Sequence, residues 1–467
     1  MTQNKKTTPS LFNRFWKSTA YVAVAAFIAG SLFGLFVSAR SQAIAATNSS
    51  YEHLRVFAEV MTLIQNYYVE EKSPKELTEG AVKGLLRTLD PHSAYMDKEG
   101  YESRKQETEG KFGGLGIEIT VKDGYIAIIT PMEDTPAEKA GLKPGDKIVK
   151  IDGVITKDMD LMEAVKKMRG EAGTKVTLTI FRDENGRVPF DVELTRAVIK
   201  VHSVKSEMMD GETGYLRILT FSMNTSDEVE AAIKKFKEKN LKSLVLDLRN
   251  NPGGLLKEAV EVGELFLKDG TVVVSTRGRS AEQNSVYHSH NRAPYLDFPI
   301  VVLINAGSAS ASEIVAGALK DTHRAILVGN RSFGKGSVQT VRELSNGAGL
   351  TLTTARYFTP AGTMIHGVGV SPDIEVKLKI AGKEDDGPEP LREKDLMEHF
   401  QGLKDSRTDD KPKKEPAKDP AKETKDTTPI GPRKVFDLER DNQLQRAVEV
   451  LKEWNLFQNM LSEKKAG

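Results

Sequence analysis

The spacing of apolar residues changes several times along the chain and separates it into regions. Near the start, five apolar residues recur every three or four positions, as on one face of a helix: Leu54, Phe57, Met61, Ile64 and Tyr68. A second helical pattern near residues 77–89 stops at Asp90-Pro91. We therefore expect an N-terminal helical region over residues 47–102.

From Gly113 onward, short apolar runs are divided by Gly and Pro turns, which is typical of β structure. Residues 116–121 and 124–129 predict a strand pair, and Met159–Met168 predicts a helix. The pattern indicates a mainly β domain over residues 103–186.

Apolar strands then alternate with helices over residues 187–380. We expect strands at residues 213–219, 244–248, 299–304 and 326–328. We expect helices between them at residues 226–239, 255–267 and 312–319. Such alternation predicts an α/β domain with a largely parallel sheet.

The end of the chain has two regions. Residues 381–433 are rich in Lys, Asp, Glu and Pro, which cannot bury enough surface to fold, so we expect a disordered linker. Residues 434–467 predict a helix with one apolar face: Leu444, Ala447, Val448, Leu451 and Trp454. Because both terminal helical regions have an apolar face without an obvious partner in their own segment, we expect a homo-oligomer formed through them.

The first 46 residues predict export. Four basic residues precede an apolar run at residues 20–39: Lys5, Lys6, Arg14 and Lys17. Ala43-Ile44-Ala45 then follows the small-x-small pattern of a cleavage site. The run is also long enough to span a bilayer, so a cleaved signal and a retained membrane anchor are both open. Either one places the rest of the chain in the periplasm or on the outer face of the cytoplasmic membrane.

Composition narrows the chemistry. The sequence has no cysteine, which excludes a thiol nucleophile, a disulfide framework and a Cys-ligated metal site. A formal net charge of +1 gives no general attraction to nucleic acid. The His-Glu-x-x-His pattern of zinc peptidases is also absent from the sequence. We expect no metal, no cofactor and no nucleic-acid partner.

Three serines lie where an apolar strand meets a helix: Ser308, Ser310 and Ser312. A serine on such a turn lies close to backbone amides and to the positive end of a helix, which suits an acyl-transfer nucleophile. Serines before a helix are also common N-caps, and Ser312 suits that role. Spacing alone leaves open which serine attacks.

A lysine between two glycines, Lys335, offers a base in place of histidine. It could act as a base only if burial lowers its pKa, and the alternative is a solvated turn lysine. Residues 329–335 also match the start of a phosphate-binding loop, but Gly336 replaces the Ser or Thr that would hold magnesium. A Ser-His-Asp arrangement with Asp321 and His323 is disfavoured, because two residues so close on one segment rarely face each other.

A glycine pair follows another apolar strand, in the run Asp247-Leu-Arg-Asn-Asn-Pro-Gly253-Gly254. Glycines leave backbone amides open, as an oxyanion hole requires. An ordinary strand-to-helix turn is the alternative.

These three loops together resemble the C-terminal processing peptidases, the tail-specific serine proteases of family S41. The resemblance rests on Ser308–Ile314, on Phe333–Gln339 and on Asn251–Gly254, and it covers residues 52–376. It implies an α/β protease core of ClpP/crotonase-like βα units, with an inserted PDZ domain and helical segments at both ends. It implies that Ser310 is the nucleophile, that Lys335 is the general base and that Gln339 orients the lysine. It also implies that the backbone N–H groups of Ala311 and of Gly253 or Gly254 form the oxyanion hole.

Residues 103–186 resemble the PDZ domain, most distinctively over residues 135–153. A PDZ groove adds a peptide strand to a sheet edge and holds its terminal carboxylate on loop amides. The resemblance implies these peptide-binding residues on the loop and on the helix opposite: Gly114, Leu115, Gly116, Ile117, Leu161, Val165 and Met168. We expect a serine endopeptidase that acts on proteins or peptides with exposed C-termini, its activity gated by the PDZ domain. An exported PDZ adaptor with an inactive protease fold is the alternative.

Overall fold

The computed structural model describes residues 51–122, 124–182, 188–290, 294–380, 383–384, 391–405 and 435–466. The predicted export segment and most of the predicted linker lie outside the described residues. Within the ranges described, no helix is both long and apolar enough to cross a bilayer.

A helical N-terminal unit ends at Leu85. Its helices are α1, at residues 51–67, and α2, at Pro74–Leu86. The helical prediction for this region is therefore confirmed.

The PDZ-like region folds around one antiparallel sheet. Its strands lie in the order β3 (Ile117–Lys122), β4 (Tyr125–Pro131), β5 (Lys147–Ile151), β7 (Lys175–Phe181) and β8 (Phe190–Thr195), and β6 (Val154–Ile155) pairs with β5. Strand β7 buries alternate residues, Val176, Leu178 and Ile180, because successive side chains of a strand point to opposite faces. The elements of this part of the chain are β1 (Ala94–Met96), α3 (Lys98–Glu109), β2 (Lys111–Gly114), β3 (Ile117–Lys122), β4 (Tyr125–Pro131), α4 (Pro136–Lys139), β5 (Lys147–Ile151), β6 (Val154–Ile155), α5 (Leu161–Met168), β7 (Lys175–Phe181) and β8 (Phe190–Thr195).

The following region is an α/β core. Its elements are β9 (Ala197–Lys200), β10 (Val204–Met208), β11 (Thr213–Ile218), α6 (Thr225–Glu238), β12 (Ser243–Asp247), α7 (Leu256–Glu264), β13 (Val272–Gly278), β14 (Ser285–His288), β15 (Ile300–Ile304), α8 (Ala311–Asp321), β16 (Ala325–Gly329), β17 (Ser337–Glu343), β18 (Gly349–Phe358) and β19 (Ile374–Glu375). The main sheet has the order β10-β11-β12-β15-β16-β19 and is parallel except for β10. The predicted α/β fold is confirmed.

Both faces of the main sheet are covered, and for this reason every residue of β12 and β15 is buried. Helices α6, α7 and α8 pack on one face. A second, antiparallel sheet has the order β1-β18-β13-β14, with β17 on β18. Strand β17 begins at Ser337, directly after the predicted lysine loop.

The chain ends with a short β pair and two helices: β20 (Lys379–Ile380), β21 (Lys383–Glu384), α9 (Glu393–Asp405) and α10 (Asn442–Ala466). Helix α9 lies inside the range predicted to be a disordered linker. Its apolar residues Leu396, Met397 and Phe400 are half-buried and spaced as on one helix face. The charged residues around them dilute this short pattern when composition is averaged over the whole range.

Helix α10 covers the second face of the main sheet. Leu444, Ala447, Val448 and Leu451 pack there in one apolar cluster with strand residues such as Val301 and Leu303. The apolar face that predicted self-association is therefore buried within its own chain over the part of α10 whose side chains are described. Trp454, at the end of that part, is exposed.

Candidate active site

The three loops singled out in the sequence meet at one edge of the main sheet. Strands β12, β15 and β16 are parallel neighbours, and each loop follows the carboxyl end of one of them. Ligand sites of open α/β sheets lie outside these carboxyl ends. The topology therefore brings together the glycine pair, the serine turn and the lysine loop.

Ser310 occupies a strained turn at the start of α8. Its φ of 55° and ψ of −113° are unusual for a residue with a Cβ, and such strain costs about 1–3 kcal/mol. Its backbone N–H donates to Glu313 Oε2 at 2.8 Å, which is one half of a capping box. The N-cap of α8 is thus Ser310, and the expectation that Ser312 is the cap is wrong.

The other two serines are buried and their hydroxyls are already used. Ser308 Oγ donates to the carbonyl of Leu248 at 2.8 Å. Ser312 Oγ donates to the carbonyl of Asn251 at 3.0 Å. The hydroxyl of Ser310, in contrast, is half-buried and donates no hydrogen bond to any residue that the structure describes. The structure thus separates three serines that the sequence left equivalent.

The glycine loop is tied to the serine turn through Asn251, which is fully buried. Its carbonyl accepts the N–H of Ala309 at 3.0 Å, and its side-chain amide donates to the carbonyl of Ile218 at 2.9 Å. Gly253 has a φ of 99°, and a Cβ there would lie 2.7 Å from the Cβ of Ser310. Only glycine permits so close an approach between the two loops.

Two backbone N–H groups near Ser310 remain open. The N–H of Gly253 donates to Asn251 Oδ1 at 2.9 Å, and its carbonyl accepts from the N–H of Phe221 at 2.9 Å. Because the peptide bond is trans, the N–H of Gly254 points away from Phe221. Within the described ranges, neither Gly254 nor Ala311 has an acceptor for its backbone N–H.

Lys335 is half-buried, and burial lowers the pKa of its amine from the ordinary value of 10.5. The carboxylates of Glu393 and Glu313 oppose that shift, whereas the charge of Arg104 adds to it. In the part of the chain that is described, no hydrogen bond joins Lys335 Nζ to Ser310 Oγ. Gln339, predicted to orient the lysine, donates instead to Ser337 Oγ at 2.8 Å.

Glu313 is a functional candidate that the sequence reasoning missed. Its carboxylate is fully buried and accepts four hydrogen bonds, at 2.5–2.9 Å, from the Ser332 hydroxyl and from the N–H groups of Ser310, Gly334 and Lys335. Burial raises the pKa of Glu313 to about 7, although these hydrogen bonds favour the ionised form. The available signal was its place three residues after Ser310, the spacing of a capping box.

The PDZ-like region has a pocket at the place where the peptide groove is predicted. Six of the seven predicted residues line one pocket: Gly114, Leu115, Gly116, Ile117, Val165 and Met168. Leu161, the seventh, packs against the core of this region and is not part of the pocket lining. The pocket also includes Phe112, Ile119 and Arg169, whose guanidinium lies 4.5 Å from the centre of the Phe112 ring.

The histidine alternative does not fit the structure. His323 follows the carboxyl end of α8, whereas Ser310 lies at its amino end. A helix of 11 residues is about 16 Å long, so His323 is out of reach of the serine hydroxyl. Among the described residues, no group of three His, Asp or Glu side chains is arranged to hold a metal ion.

The comparisons with known proteins agree with this architecture. Residues 212–376 match the model of peptidase family S41, residues 105–181 the PDZ domain, and residues 31–100 the activating protease CtpB N-terminal domain. The chain belongs to peptidase family S41, among its carboxy-terminal processing proteases, and it is a serine protease with a PDZ domain.

Two relatives in sequence support the assignment. The chain is 44% identical to a carboxy-terminal-processing protease of Bartonella bacilliformis, covering 81% of this chain and 88% of that protein. It is 38% identical to the carboxy-terminal processing protease CtpA of Bacillus subtilis, covering 68% of this chain and 67% of that protein. Among solved structures, the photosystem II D1 C-terminal processing protease matches with 32% identity and a TM-score of 0.42, covering 68% of this chain and 86% of that one.

Proposed function

We propose that this protein is an exported endopeptidase that binds protein C-terminal tails in its PDZ groove and cleaves them with Ser310 and Lys335. The observation that carries the proposal is the state of the serine turn. Of the three serines, only Ser310 has a hydroxyl that donates to no described residue, and it lies near two open backbone N–H groups.

In the proposed reaction, neutral Lys335 takes the proton of the Ser310 hydroxyl, and Oγ attacks the peptide carbonyl carbon. The N–H groups of Ala311 and Gly254 donate to the oxyanion that forms; we assign Gly254 rather than Gly253 because the latter already donates to Asn251. The lysine ammonium then protonates the leaving amine. Water attacks the acyl carbon and gives a proton to Lys335. The bond between Oγ and the acyl carbon then breaks, Lys335 returns the proton to Oγ, and the carboxylic acid product leaves.

A closing movement belongs to the proposal. The side chains of Ser310 and Lys335 make no mutual hydrogen bond within the described residues, and Gln339 donates to Ser337. We propose that a tail bound in the PDZ groove favours an arrangement in which Lys335 meets Ser310 and Gln339 exchanges Ser337 for the lysine. The PDZ domain then gates the activity.

A pair of matched substrates tests tail recognition. One unfolded peptide is prepared with an apolar C-terminal residue as the free carboxylate, and again as the amide. We expect kcat/KM for the amide to be lower than for the free carboxylate by a factor of roughly ten or more, because a loop of backbone N–H groups favours the carboxylate. Equal cleavage of both would contradict tail recognition, and absence of cleavage by the wild-type protein would favour the PDZ adaptor.

Export and self-association complete the proposal. The basic and apolar pattern of the first 46 residues supports export. Exposed Leu54, Phe57 and Val60 on α1 support association of two copies through that helix. Fractionation of cells that produce the tagged protein tests export, and a cytoplasmic pool would contradict it. Light scattering of residues 47–467 tests self-association, and a monomer would contradict it.

A further inference from the structure

A buried carboxylate outside the matched protease region lies close to the lysine loop. Glu393 is the first residue of α9, beyond the S41 match at 212–376, and its side chain is 0% exposed. Its backbone N–H donates to the carbonyl of Phe333 at 3.1 Å, two residues before Lys335. An acidic side chain is rarely buried without a specific partner, so we expect specific partners for the carboxylate of Glu393.

Two histidines from distant parts of the chain lie beside this carboxylate, and one of them is hydrogen-bonded to it. His92 Nε2 lies 2.7 and 2.9 Å from the two oxygens of Glu393. His366 Nδ1 lies 3.7 Å from one of those oxygens and has no hydrogen-bond partner within the described residues. Asp90 fixes the turn that carries His92, because its Oδ1 accepts the His92 N–H at 2.8 Å.

The same cluster encloses the backbone of the lysine loop. The N–H of Gly367 donates to the carbonyl of Gly334 at 2.9 Å. A Cβ on Gly336 would lie only 2.2 Å from the backbone nitrogen of His366, so these two segments are in direct contact. Glu393 is therefore anchored to the lysine loop through the carbonyl of Phe333 before Lys335, and its carboxylate lies beside His366, whose backbone packs on Gly336 after Lys335.

The negative charge of the Glu393 carboxylate influences the protonation of the Lys335 amine. Burial lowers the pKa of Lys335, and the Glu393 carboxylate opposes that shift more than any other group does. The charged and titratable groups around Lys335 and the cluster come from several elements: Glu313 on α8, Arg104 on α3, Asp90 and His92 after α2, Arg356 on β18, His366 in the loop after β18, and Arg392 beside Glu393.

We propose that α9 is an intramolecular cap of the catalytic site, in which the carboxylate of Glu393, held by His92 and lying beside His366, is the buried negative charge that keeps Lys335 in its protonated, resting form. Displacement of α9 removes the carboxylate from the lysine loop and leaves a buried amine that loses its proton more readily. Glu393 is thus a positioning residue that acts through Lys335. The inference rests on the proposed role of Lys335 as general base.

The test compares E393Q with wild type in the full-length protein. Two readouts are followed against pH: kcat/KM for the free-carboxylate peptide, and the rate at which an amine-acylating reagent modifies Lys335, measured by peptide mass spectrometry. The second readout reports this amine alone, whereas kcat/KM also responds to Glu313. Each readout plotted against pH has a midpoint that we assign to deprotonation of Lys335. We expect both midpoints to move to lower pH in E393Q, by roughly half a pH unit to one pH unit.

E398Q is the matched control, because Glu398 is an exposed residue of the same helix, and its profiles should coincide with wild type. E393D keeps the charge but withdraws it by one methylene, so it should give a smaller shift in the same direction. E393D also replaces E393Q as the test variant if circular dichroism shows that E393Q is unfolded. Midpoints equal in wild type, E393D and E393Q would overturn the cap, even if activity falls uniformly. Failure of the proposed function is a separate result: K335A would then remain active.

Discussion

The backbone N–H groups of Ser310 and Lys335 donate to one carboxylate oxygen, Oε2 of Glu313, at 2.8 and 2.9 Å. The two residues lie on different loops and their side chains make no mutual hydrogen bond within the described ranges. Glu313 therefore fixes the spacing of the two backbones while the lysine side chain stays free to approach the serine. In the proposed mechanism, a movement of the Lys335 side chain then joins the nucleophile and the base while both backbones stay in place.

E313Q should abolish most activity. A glutamine side chain has one acceptor oxygen and one NH₂ group, so it cannot accept all four hydrogen bonds, and its donors oppose buried N–H groups. We expect kcat to fall roughly 100-fold with a small change in KM, since the serine turn and its open N–H groups shift. E238Q, at an exposed position of α6, is the control. An E313Q kcat within twofold of wild type would contradict a positioning role.

D441N should loosen the loop after β12 from the end of the chain. Asp441 accepts hydrogen bonds from Arg249 Nη1 and Nη2 at 2.9 and 2.6 Å, and the Arg249 side chain is only 11% exposed. Arg249 keeps its contacts with Asp247, so we expect a loss of about 1–2 kcal/mol in the free energy of unfolding. Chemical denaturation measures the change, with exposed E439A as control. Equal stability of D441N and wild type would show that α10 is not anchored through this pair.

V165D should weaken tail binding without changing the catalytic centre. Val165 lines the predicted peptide pocket, where a new carboxylate would repel the carboxylate of the bound tail. We expect KM to rise roughly tenfold for the free-carboxylate peptide and much less for its amide. M162D on the same helix is the control, because Met162 is 70% exposed and lies outside the pocket lining. A KM that rises equally for both substrates would contradict the pocket assignment.

Regular features of the fold were predictable because each depends on a local pattern. The alternation of buried strands and helices gave the α/β core, and the loops after β12, β15 and β16 then had to share one sheet edge. The choice of Ser310 among three serines was not predictable from spacing. The family resemblance supplied that choice, and its physical basis lies in the hydrogen bonds of Ser308 and Ser312 to residues some 60 positions away in sequence.

Contacts between remote segments account for what the sequence did not reveal. His92 and Glu393 are 301 residues apart and carry no shared periodicity, so their pairing leaves no local signal. Helix α9 was hidden because a few apolar residues were outnumbered by charged ones. Gln339 shows the opposite limit: its position in a motif was recognisable, but its hydrogen bond to Ser337 depends on a side-chain conformation that no motif specifies.

The most direct measurement of the central claim is cleavage of an unfolded protein such as casein by purified wild type, S310A, K335A and K335R. We expect all three variants to fold as wild type by circular dichroism and to lose activity by roughly 1,000-fold or more, because nucleophile and base act as a unit. K335R should be as inactive as K335A, since arginine cannot give up its proton. Cleavage by S310A or K335A within tenfold of wild type would contradict the assignment of Ser310 and Lys335.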